Sequence, residues 1–115
     1  MIYININGDQ YPAKVRGFVR DPNWNNRDSK EITLSMTYEN ALAIFVDDVD
    51  WEIVYQAKSY TNEDGETITP DPAIYDNSDW CLAGPITDNR DGTVTVKMGK
   101  ITAEEALAEL LEVLA

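Results

Sequence analysis

The sequence predicts an α+β fold: a mainly antiparallel β-sheet of about six to seven strands joined largely by hairpins, with one short internal helix and a C-terminal amphipathic helix. Three observations predict it. The turn dipeptides Asn7-Gly8, Asp64-Gly65 and Asp91-Gly92 separate segments that can pair. Apolar residues recur at every second position through most of those segments, the period of a half-buried strand. One late stretch instead repeats its leucines with the period of a helix. At 115 residues the chain has room for one core, so residues 1–115 are expected to form a single domain.

Ile2, Ile4 and Ile6 share one face of a first strand, and Asn7-Gly8 follows at once. Asn-Gly suits a type I′ turn because both central residues take positive φ. The chain should therefore return from Asp9 to Phe18 with Tyr11, Ala13 and Val15 alternating. Pro12 lacks an N–H, which predicts that this second strand lies at a sheet edge near its start. Arg20 to Lys30, RDPNWNNRDSK, is rich in turn formers and has no apolar period, so an exposed loop carrying Trp24 is expected. That indole either folds back to cap the core or anchors an interface.

Glu31 to Met36 reads as a strand with Ile32, Leu34 and Met36 inward, and Thr37 then caps a helix from Tyr38 to about Val46. Its apolar stripe is Leu42 and Phe45, completed by Ala41. Asp47, Asp48 and Asp50 end the helix, and Trp51, Ile53 and Tyr55 alternate with Glu52, Val54 and Gln56 in a further strand, so the helix connects two strands of one sheet. SYTNEDGETITP reads as a second hairpin with polar flanks, projecting as an arm. Pro70 and Pro72 predict a loop from Pro70 to Ser78. A strand then runs through Trp80 and Leu82, kinks or bulges at Gly84-Pro85 and resumes at Ile86, and DNRDG turns it onto Thr93 to Met98.

The last element has the clearest signature. Thr102 and Glu105 make the capping-box pattern T-x-x-E, followed by Leu107, Leu110, Leu111 and Leu114 at i, i+3, i+4 and i+7. A helix from Ala103 to Leu114 follows. Its stripe is expected to pack on the chain's own sheet or on the same helix of a second copy, because an isolated helix this short is marginal in water.

The net charge is -12. A phosphate backbone would be repelled, so no direct nucleic-acid partner is expected. The charge is uneven: five cations face three carboxylates through Lys30, net +2, and four face eighteen beyond it, net -14. Copies could thus associate head to tail. Cys81 is alone and cannot form an internal disulfide, which points to a reducing compartment. Neither a signal peptide nor a run of roughly 20 apolar residues is seen, so no membrane partner is expected.

No histidine occurs, which removes His-based triads and the commonest transition-metal ligand. Cys81 has no His partner and reads as a small buried side chain beside Trp80. Among 21 acidic residues no carboxylate pair is singled out for acid–base work. FVDDVDW, TNEDGE and DNRDG resemble fragments of calcium loops, yet none has the D-x-D-x-D-G spacing with a later glutamate, and turn formation explains them better. The expectation is a non-enzymatic protein with no catalytic residue, no cofactor and no metal.

Three stretches carry a resemblance: INGDQYPA, WNNRDSKEITLSMTYENALAIFVDDVDW and DNRDGTVTVKMGKITAEEALAELLE. In these the chain resembles small proteins of unknown function encoded in phages and prophages of Gram-positive bacteria. The resemblance implies a virion, tail or assembly component, made in the host bacterial cytoplasm and incorporated in the virion, that acts through protein–protein contacts. It carries over no catalytic residue.

The partner is a protein, another copy of the chain included. The residues expected to face it are Trp24, Arg27 and Lys30, with Arg16 and Arg20 nearby; the alternative is a solvated loop with one capping Trp. Two other functions compete. One is an acidic regulatory or inhibitory phage protein that binds a host protein as a nucleic-acid mimic. The other is a carbohydrate-binding module stacking sugars on Trp24, Trp51 and Trp80, although Trp51 and Trp80 fall in strand patterns that feed the core.

Overall fold

Asn7 and Gly8 both take positive φ, 52° and 83°, the geometry of the primed hairpin turn, and they fold β1 (Ile2–Ile6) back against β2 (Asp9–Asp21). The computed structural model describes residues 1–114, with side chains as far as Glu112. After β2 come β3 (Arg27–Ser35), α1 (Tyr38–Ile44), β4 (Trp51–Tyr55), β5 (Tyr60–Thr61), β6 (Thr67–Ile68), β7 (Ala73–Asp76), β8 (Leu82–Asp88), β9 (Thr93–Gly99) and α2 (Ala103–Leu114). Seven strands form one sheet in the order β7-β4-β1-β2-β3-β9-β8, every pair antiparallel. β5 and β6 pair separately as the expected projecting hairpin.

The registers put the apolar alternation of each strand on one face. Ile4 stands opposite Ile53 and Tyr11, Ile32 opposite Val15 and Val96, and Leu34 opposite Ala13 and Val94. α1 closes this face with Ala41 and Phe45, and its first turn is capped by Thr37, whose hydroxyl accepts from the Asn40 N–H at 3.1 Å. The helix stripe differs from expectation: Leu42 is exposed, while Ala41 and Phe45, four apart, turn inward.

β2 is interior in the sheet order, and near its start it is an edge as expected: pairing with β3 begins only at Ala13 opposite Leu34, so at Pro12 the strand has a partner on one side alone. Four further expectations are corrected. The loop expected over Arg20–Lys30 shrinks to residues 22–26, since Asn25 and Asn26 take φ of 54° and 55° and tighten the reversal. The region from Pro70 to Ser78 holds an edge strand, because both prolines precede Ala73 and leave β7 free to pair with β4. Trp80 lies outside β8, and Cys81 is half-buried rather than fully buried.

The largest departure is α2. It forms where expected, and its capping box is in place: the Glu105 N–H donates to the Thr102 hydroxyl at 3.2 Å and the Thr102 N–H to the Glu105 carboxylate at 2.9 Å. The helix does not lie on the sheet. Leu107, Leu110 and Leu111 are 56%, 54% and 58% exposed, and the chain measures 67 Å along its longest axis against 34 and 27 Å across. The side chain of Leu114, the fourth expected stripe position, lies outside the described side chains.

Candidate protein-interaction site

The reversal between β2 and β3 brings Trp24 and Arg27 against the end of β9, where α2 begins. Asp21, buried at the tip of β2, receives the Lys97 ammonium at 2.7 Å, the Asn23 N–H at 3.0 Å and the Ser29 hydroxyl at 3.1 Å. The Lys97 hydrogen bond holds its carboxyl below the ordinary value against the opposing effect of burial. From this anchored turn the Trp24 ring lies over Gly84 and Gly99; a Cβ on Gly99 would sit 2.7 Å from the indole and 2.8 Å from the Arg27 side chain. These two glycines are the seats of a capping tryptophan. Gly99→Ala is expected to cost about 1–2 kcal/mol through displaced packing; urea unfolding reads it, and a wild-type midpoint would show that Trp24 is not seated there.

Arg27 leads into α2. Its guanidinium lies across the Trp24 ring at 4.9 Å, donates to the Lys100 carbonyl at 3.0 Å, and holds the Glu105 carboxylate through two bonds of 2.6 and 2.7 Å. Glu105 thus closes the capping box and the ion pair at once. The Arg27 hydrogen bond is the largest influence that lowers its carboxyl from 4.5 to about 2, and Glu105 in turn raises the Arg27 pKa.

The five residues expected to face a partner therefore separate. Arg27 is buried in its ion pair, where it holds the first turn of α2. Trp24 caps its own domain, and Lys30 is partly buried, donating to Asn77 with its ammonium 4.4 Å from the Trp80 ring. Burial, then the neighbouring Lys100, lowers the Lys30 pKa. Arg16 and Arg20 stay exposed, Arg16 lying over Phe18 at 4.8 Å. Trp51 is core and donates to the Trp80 carbonyl at 3.1 Å; Lys30 and Lys100 both lie over Trp80. All three indoles are thus engaged within the chain.

Two features lie beyond the sequence reading. One is α2 itself as the exposed surface: it carries Glu104, Glu105, Glu109 and Glu112 and no Lys or Arg, so no helical i,i+4 cation offsets its charge. The signal was present in the run AEEALAELLE, as acid without any basic partner. The other is a groove of about 740 Å³ where β1, β2, β3 and β9 meet, lined by Ile2, Pro12, Ala13, Lys14, Val15 and Leu34 among others, and more apolar than polar. Nothing in the sequence marks it, because its residues come from four strands.

Burial, chiefly, pushes the Cys81 thiol up, with Asp48 adding to the effect, and a raised thiol is a poor nucleophile. Among the described residues no group of three or more Cys, Asp or Glu is placed to hold a metal ion, and no helix is long and apolar enough to cross a membrane. Comparison with protein-family models, with curated proteins and with solved structures finds no match to this chain.

Proposed function

We propose that this chain is a non-enzymatic interaction protein, a small structural or assembly component that works through protein–protein contacts with α2 as its docking element. The observation that carries the reading is the leucine stripe of α2, with Leu107, Leu110 and Leu111 more than half exposed on a helix whose first turn ties it to the domain. A 12-residue helix gains little stability from propensity alone in water, and most helices owe their stability to packing of an apolar face. Here that face awaits a partner. The resemblance to small phage and prophage proteins supports a virion or tail assembly as the context, where parts act as repeated copies.

The test is the oligomeric state of the full chain by light scattering at low and high salt, beside Leu107→Glu/Leu111→Glu. Wild-type protein is expected to form a species larger than 13.0 kDa that the variant loses, while the variant's unfolding midpoint stays within about 0.5 kcal/mol because both positions are exposed. A wild type that remains a monomer at every concentration would overturn self-assembly as its role.

A further inference from the structure

We infer that the aromatic cleft bounded by β4, β7 and the Trp80 segment binds a small organic anion, a flat ring bearing one carboxylate, and that Lys30 takes the carboxylate. The site is separate from α2 and does not rest on the interaction reading above.

Strand alternation assembles the cleft. Tyr55 follows buried Ile53 by two residues on β4, and Tyr75 stands opposite Ile53 on β7, so both tyrosines share the core face. Lys30 stands opposite buried Met98 and faces the same core from β3. The core therefore ends here in rings and a cation. Tyr55 and Tyr75 are 44% and 55% exposed, with centroids 5.5 Å apart and edge to face, and Trp80 is half-buried. With Ile53, Lys30 and Asn77 these rings line a cleft of about 550 Å³. Clefts that take small molecules span roughly 300–1,000 Å³.

Charge gives the ligand its head group. The Lys30 ammonium lies 4.4 Å from the Trp80 ring and donates to the side-chain oxygen of buried Asn77. An ammonium has three N–H donors, so the others remain for a ligand. Among the described residues the ion pairs are Arg27–Glu105 and Lys97–Asp21, and no carboxylate pairs with Lys30. Burial, then the like charge of Lys100 at 4.7 Å from the same ring, disfavours the charged amine. A carboxylate offsets both and offers two oxygens to the free donors. Asp76 also borders the cleft, but it alternates with Tyr75 and Asn77, so its side chain leaves from the other face of β7 and accepts from the Ser78 N–H at 3.0 Å and hydroxyl at 2.6 Å. It stays charged there, which favours a monoanion over a phosphate dianion.

The rings give the ligand its body. Aromatic rings pair by offset stacking or edge to face, and both tyrosines keep open surface for a further ring.

The experiment adds benzoate to the full chain and follows the Trp80 indole N–H and the tyrosine rings by NMR. Benzamide, which has the ring without the charge, and acetate, which has the charge without the ring, are run beside it. Benzoate is expected to bind at about 1 mM or tighter, and the other two about tenfold more weakly. Lys30→Gln, which keeps an N–H donor for Asn77, is expected to bring benzoate down to the level of benzamide. Tyr75→Ala, at an exposed position, is expected to weaken both ring compounds about fivefold, and it carries the test alone if circular dichroism shows Lys30→Gln unfolded. Benzamide binding as tightly as benzoate would overturn the carboxylate, and acetate doing so would overturn the ring. No shift at Trp80, or benzoate binding that neither variant changes, would overturn the cleft. Leu107→Glu/Leu111→Glu is expected to bind benzoate as the wild type does, so failure here leaves the reading of α2 standing.

Discussion

Trp51→Ala is expected to destabilise the fold by about 3–5 kcal/mol, the largest single-residue effect in the chain. Trp51 is 1% exposed on β4, opposite Ile6, and its indole N–H donates to the Trp80 carbonyl at 3.1 Å. Truncation removes the ring, opens a cavity in the core beside the Trp80 segment, and strips an acceptor of its donor. Domains of this size have about 5–15 kcal/mol in total, so much of the stability would go. Equilibrium urea unfolding measures it. Trp51→Phe should recover most of the loss but leave the carbonyl unpaired. A loss under about 1 kcal/mol in the alanine variant would show that the core does not centre on this ring.

The strands were legible where period and turn chemistry agreed. Asn7 and Gly8 both take positive φ, Gly92 does so in the later turn, and the alternation of β1, β3, β4 and β9 faces one core, so each local signal matched the tertiary demand. Legibility failed where a residue's role depended on a neighbouring strand. Pro12 marked the edge at the start of β2 but not that β3 pairs with the rest of that strand. Pro70 and Pro72 read as breakers, yet the four residues after them suffice for an edge strand against β4. Leu42 and Phe45 fit a stripe as well as Ala41 and Phe45 do, and which pair turns inward depends on how α1 sits over β8 and β9.

The candidate site was half legible for a related reason. The amphipathic signature of α2 was plain, but amphipathicity states that a face must be covered and not by what. The expectation that the chain covers its own helix is not met: Leu107, Leu110 and Leu111 are exposed, and only tertiary packing decides that. Arg27 and Trp24 were picked out by residue type, as interface residues usually are. Their actual partners, Glu105 and Gly99, lie 78 and 75 positions away, and no local pattern announces them.

That anchoring role yields the second large effect. Arg27→Ala is expected to cost about 2–3 kcal/mol, because it leaves the Lys100 carbonyl without its donor and removes the buried side chain that packs against both Trp24 and Gly99. The ion pair itself adds less than a fully buried one, since Glu105 is 39% exposed and water screens it. Its signature is in the pH dependence. Glu105 is held at about 2 when folded against an ordinary 4.5, so its stabilisation is fully present above about 4.5 and is lost as the pH falls toward 2. Wild-type Glu105, followed by carboxyl NMR, is expected to titrate near 2, and in Arg27→Ala to move up toward its ordinary value. The same variant should expose α2 to protease at neutral pH as the wild type does only in acid. Titration near 4.5 in the wild type would show that Arg27 does not hold the helix. Because Arg27 grips only the first turn, its loss should lower stability, whereas loss of the leucines beyond that turn should lower assembly alone. A fold that lost stability equally from both would be one in which α2 packs on its own domain.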